Sequence, residues 1–156
     1  MAKKSNRRFL REKALQILYA YELNGDNLSK IIDYVLDSYD NQDREFCIKL
    51  VNSVIRHKSD LEEIIIKKVS NWEVERIALI DRLLLRIGIA EILYFPDIPP
   101  KVSMNEMIEI SKEYSTAKSG KFINGILDAI LSDIKKNGKL NKSGRGLIER
   151  SFSKKS

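Results

Sequence analysis

The chain predicts an all-α protein, a compact bundle of about seven helices. Three observations carry this. Apolar residues recur at three- and four-residue spacing along most of the chain, the period of a helix face. No stretch alternates apolar and polar residues as a half-buried strand does. Three prolines and seven glycines in 156 residues are too few for a turn-rich β fold, whereas 43% hydrophobic residues can fill a core.

Each element follows from local signals. From Arg7 to Leu23, the residues Leu10, Ala14, Ile17, Leu18 and Tyr21 share one face, and Asn24-Gly25 stops the helix. Leu28 to Tyr39 fits a second helix with Ile31, Ile32, Val35 and Leu36 inward. Glu45 to Val69 reads as one long third helix, with Phe46, Cys47, Leu50, Val51, Val54, Leu61, Ile64 and Ile65 in period. Ser70-Asn71 interrupts, and Ser70 with Glu73 has capping-box spacing. Ile77 to Phe95 is apolar nearly all round, the mark of a central buried helix, and Pro96, Pro99 and Pro100 end it. Ser103 and Glu106 form a second capping-box pattern, opening a helix to about Ser115. Ser119 is placed to cap the last helix, which runs to about Lys136, with Asn137-Gly138 as its stop. Residues 1–136 therefore read as a single helical domain with a basic N-terminal arm. Residues 137–156 read as a basic, disordered tail.

Charge is concentrated at the ends. Residues 1–13 carry six cations against Glu12, and residues 137–156 carry six against Glu149, so the +6 chain has a mildly acidic body. Basic ends suit a polyanionic partner, or serve solubility alone. On a helix, Lys4, Arg7 or Arg8, and Arg11 make one stripe that continues the face of Ala14 and Leu18. A cationic prow of this kind suits phosphate oxygens.

Catalysis finds no support. His57 is the only histidine, and no acid or nucleophile lies at a useful spacing. Cys47 falls on an inward stripe and reads as a core residue; a lone cysteine also excludes a disulfide framework. Glu106, Glu109 and Glu113 share a face but lack the histidine of a carboxylate metal helix, and read as a solvated surface. No glycine-rich phosphate loop is present. No metal or cofactor is expected. The most apolar segment carries Asp81, Arg82, Arg86 and Glu91 and is a poor membrane span, and a cytoplasmic compartment is the simplest reading. Arg86 and Glu91 suit a structural ion pair, with each other or with neighbours.

The stretch Ser119 to Asp128 breaks helix propensity with Asn124 and Gly125. Phe122 falls at the margin of its apolar arc, with Lys121 and Asn124 on the polar side. Phe122 could stack a base, Lys121 hold a phosphate and Asn124 read a base edge. Alternatively Phe122 packs on a neighbouring helix and Gly125 allows close contact. Asp81 either favours its own helix N-terminus or faces a protein partner.

Taken together, the chain resembles the NusB family of transcription antitermination factors. The marks are Arg11 with Ala14 and Leu18-Tyr19; Ile80-Asp81-Arg82 and Leu85-Arg86; Glu91-Ile92-Leu93; Asp97-Ile98-Pro99; Val102; Asn105-Glu106; and Lys121-Phe122-Ile123-Asn124-Gly125-Ile126-Leu127-Asp128. They fall in family order across residues 7 to about 136. The resemblance implies an RNA-binding fold of two helical halves, the first built from helices one to three. It implies no catalysis. It implies binding of boxA-like single-stranded RNA with a small-subunit ribosomal protein, NusE, in a transcription elongation complex, chiefly on ribosomal RNA operons. Carried over by position, Arg7, Arg8, Arg11, Lys121, Phe122 and Asn124 would touch RNA, and Tyr19 and Asp81 would face NusE. Lys118 stands where an acid is expected and implies a firmer hold on RNA. Competing readings are a module related to the N-terminal domain of ribosomal RNA cytosine methyltransferases, which leaves no room for a catalytic domain here, and a self-associating bundle such as a homodimer.

Overall fold

The structure, a computed structural model, describes residues 6–25, 27–69 and 71–149, with the backbone alone at 71–73. Eight α-helices run through the described residues: α1 (Asn6–Asn24), α2 (Leu28–Val35), α3 (Asn41–Arg56), α4 (Lys58–Lys68), α5 (Asn71–Arg76), α6 (Leu79–Tyr94), α7 (Pro100–Tyr114) and α8 (Ala117–Lys136). A short 3-10 helix, Gly144–Leu147, follows. No strand occurs among the described residues. None of the helices is long and apolar enough to cross a membrane.

Helix α6 is the axis. It packs against α1, α3, α4, α7 and α8. Leu83 to Ile92 is buried without interruption, as its all-round apolar sequence requires. Each such Leu or Ile removed from water contributes about 1.5–3 kcal/mol. Gly88 lets α8 approach: a Cβ there would sit 3.1 Å from a Leu127 methyl and 3.2 Å from Met107 Cγ.

The expected long third helix is two. The chain turns at His57, whose ring stacks on Tyr94 at 3.8 Å and 17°. Its Nδ1 lies 2.9 Å from the Ser53 carbonyl, which only a protonated nitrogen can satisfy. Leu50, Val54, Leu61 and Ile65 are all buried, so apolar periodicity alone could not see a one-residue turn.

Two capping assignments are corrected. Helix α7 starts at Pro100, whose missing N–H costs nothing in the first turn. Ser103 lies inside α7, where its hydroxyl donates to Glu91 Oε1 at 2.7 Å. Helix α8 starts after Thr116, and Ser119 donates instead to Asp81 Oδ2 at 2.8 Å. Ser70 lies outside the described residues. The Asn137-Gly138 stop is present, with Gly138 at φ +67°.

The segment expected to be a disordered tail folds back through residue 149. Ser143 N–H donates to the Pro96 carbonyl at 3.0 Å. Lys142 Nζ donates to the carbonyls of Glu91 and Phe95 at 3.1 and 2.9 Å, closing the C-terminus of α6. Burial pulls the Lys142 ammonium down to about 8 despite Glu91 and Asp97 nearby. Residues 150–156 lie outside the described residues.

Candidate nucleic-acid interface

The arginine-rich start does not present a single cationic stripe. Arg11 is 3% exposed and lies against α6, because it shares the face of Ala14 and Leu18. Its Nε and Nη2 meet Glu91 at 2.6 and 2.9 Å. Burial opposes the charge, but Glu91 more than offsets this, and the guanidinium is held above its ordinary range. Arg11 is therefore a core ion pair, not a phosphate contact. Arg8 makes a fork onto Glu106 of α7, at 2.9 and 2.7 Å. That hydrogen-bonded pairing raises Arg8 as well. Glu106 is consequently buried rather than solvated. Arg7 is exposed, with its guanidinium 4.0 Å above the Phe46 ring. Lys4 lies outside the described residues.

On α8, Lys121, Asn124, Gly125 and Asp128 form an exposed face at i, i+3, i+4 and i+7. Phe122 is half-buried at its edge, against the core. Gly125 is not a packing glycine: a Cβ there meets nothing within 4 Å. Close approach belongs to Gly120, whose Cβ position lies 3.5 Å from Ile108 and 3.6 Å from Ser111. Helix α7 thus supports both sites. Glu106 anchors Arg8, and one turn on, Ile108 and Ser111 seat the start of α8.

Lys118, Phe122 and Asp81 line one open cleft of about 460 Å³, with Arg76 and Ser115. Asp81 is buried rather than openly displayed. Its Oδ2 accepts from Ser119, and its Oδ1 has no hydrogen-bond partner among the described residues. Tyr19 is 38% exposed on α1. Arg86 does not pair with Glu91. It pairs with Glu22 at 3.3 Å and with Glu62.

Cys47 is a core thiol, pushed up to about 12 by burial, with Lys13 pulling the other way. No group of potential metal ligands occurs among the described residues. Sequence reasoning misses Glu91 and Glu106 as counter-charges of the arm. The available signal is a glutamate in an otherwise apolar helix, which must bring its own cation.

Comparison with known proteins supplies the rest. The model of the NusB family matches residues 8–132. The chain is 48% identical over 147 residues to transcription antitermination protein NusB of Chloroherpeton thalassium, covering 92% of this chain and 70% of that one. Among solved structures, T. maritima NusB superposes with a TM-score of 0.77 and 32% identity, over 84% of this chain and 94% of the other. A chain in a crystal structure of antitermination factors NusB and NusE in complex with dsRNA gives 0.74 and 29%, over 82% and 97%.

Proposed function

The chain belongs to the NusB family, and from that premise we propose that it is a transcription antitermination factor that binds RNA together with the ribosomal protein NusE. It acts by binding and is not an enzyme. The observation that carries the RNA site is the exposed α8 face, where Lys121 and Asn124 flank a half-buried Phe122. A cation, an amide and an aromatic ring at one-turn spacing can take a phosphate, a base edge and a base face. Arg7 adds an exposed guanidinium, while Arg8 is partly engaged by Glu106. Lys118 brings a further cation to the cleft beside Phe122.

On this reading the RNA is a boxA-like single strand in ribosomal RNA transcripts, and the assembly acts on the elongating polymerase. NusE lies against the side bearing Tyr19 and Asp81. Asp81 acts chiefly by holding Ser119, and with it the first turn of α8, in place.

RNA binding with and without NusE, at two salt concentrations, tests the reading. Affinity for boxA-like RNA should fall with salt and fall further in Arg7→Ala and Phe122→Ala. Each phosphate that is no longer neutralised should lower the log–log salt slope by about 0.7. Wild-type binding in both variants would remove the site assignment, and RNA binding indifferent to NusE would remove the shared complex.

A further inference from the structure

A second groove lies between the end of α3 and the end of α6, away from the α8 face. We infer that it is a further contact for single-stranded RNA, continuing the contact that begins at Arg7. The inference rests on the RNA reading above.

The groove encloses about 600 Å³, and Lys49, Arg56, His57, Tyr94 and Phe95 are among its walls. No carboxylate lines it. That is unusual for this protein, whose cations are widely paired: Arg44 with Asp33, Lys68 with Asp133, Lys101 with Asp128 and Lys112 with Glu109. Among the described residues, Lys49 and Arg56 pair with no acid. Both are exposed, and with Asn52 they fall at i, i+3 and i+7 on one face of α3. Seven residues of helix separate the two charges by about 10 Å along the axis, a span for more than one phosphate.

The remaining wall is aromatic. Lys49 Nζ sits 4.9 Å above the Phe95 ring. His57 and Tyr94, already stacked on each other, form the far side. Phe95 is buried and only seats Lys49, so the rings open to a base are the part-exposed His57 and Tyr94; cations beside such rings are the surface a single strand uses. A path of contacts joins the groove to the arm. Arg7 covers Phe46, and Phe46 meets Phe95 edge-on at 6.1 Å.

Two features oppose anion binding, the helix C-termini and a nearby acid. Helix C-termini carry partial negative charge. At α6, Lys142 covers this by donating to the Glu91 and Phe95 carbonyls. Burial and then Asp60 raise Tyr94, but Asp60 lines the adjoining groove and is not among the walls of this one.

The test compares a short boxA-like RNA with the same RNA extended by about six nucleotides at either end, on the full chain. Wild-type protein should bind an extended RNA several-fold tighter than the short one. Lys49→Ala combined with Arg56→Ala should abolish that gain and lower the salt slope by about 1.4, the value of two phosphates. The same variant should bind the short RNA as wild type does, which shows it is folded. Photo-crosslinking of a thiouridine in the extension should mark Tyr94 or His57. A gain that survives in the variant overturns the inference, as does its absence in wild type with the short RNA bound normally. If neither RNA binds, the underlying RNA reading falls with it.

Discussion

Arg11 and Glu91 form a forked ion pair inside the protein, Nε to Oε2 at 2.6 Å and Nη2 to Oε1 at 2.9 Å, with Ser103 completing the carboxylate's contacts. Removing one partner strands the other charge away from water. Arg11→Ala and Glu91→Ala should each lose about 3–5 kcal/mol in denaturant unfolding. Arg11→Met joined to Glu91→Leu should recover most of that loss. RNA affinity per folded molecule should survive in the double variant, because Arg11 does not face the ligand.

Gly125 and Gly88 should respond oppositely to added side chains. A Cβ at Gly125 meets nothing, so Gly125→Ala should raise stability by roughly 1 kcal/mol through helix propensity. If RNA backbone lies close over this bare turn, the same variant binds RNA more weakly. At Gly88 the nearest atoms are already 3.1 to 3.3 Å away, so Gly88→Leu should cost about 1–3 kcal/mol by overpacking. Thermal unfolding of the two variants shows the contrast directly.

Ser119→Ala should leave Asp81 buried with neither oxygen paired to a described residue. The expected loss is about 1–3 kcal/mol, with faster amide exchange in the first turn of α8. Unchanged exchange there would mean that Asp81 does not hold this turn. Because Lys118 lies on this turn and Phe122 on the next, RNA affinity should fall too.

Lys142 should give a stability rise at alkaline pH. Its proton leaves at about 8 in the folded protein, against 10.5 ordinarily. Below 8 both states keep the proton, and above 10.5 neither does. Between them the unfolded chain binds more protons, so this group makes stability increase with pH. Tyr94, raised by burial, acts in the opposite sense above its ordinary value of 10. The difference between wild type and Lys142→Met, followed by urea unfolding from pH 7.5 to 10, isolates the lysine. A flat difference would contradict the lowered value.

Helix positions are readable because burial imposes a 3.6-residue period, and α6 stands out for being apolar all round. What the period cannot show is a turn that preserves the buried face. His57 divides α3 from α4 while Leu50, Val54, Leu61 and Ile65 all stay inward. Hydroxyl roles escape the sequence for a related reason. Ser103 and Ser119 have the spacing of caps, yet each serves a carboxylate on α6, a partner many residues away in sequence. At the site, Lys121 and Asn124 fall on the exposed face that projection predicts. Arg11 does not, although it lies on the stripe the spacing draws: a stripe continuing the core face leads inward wherever a buried acid waits. Gly125 has the look of a contact glycine in sequence, but its neighbour is open space.

The strap after α8 crosses the Pro96 turn so closely that a Cβ on Gly146 would collide with the Pro96 carbonyl. The crossing is shaped to the turn between α6 and α7, where Ser143 N–H also meets the Pro96 carbonyl. The strap therefore depends on a turn that other elements build. Its release frees Lys142 and uncovers the last carbonyls of α6, so fraying of the bundle should begin there, at the end of its most deeply buried helix.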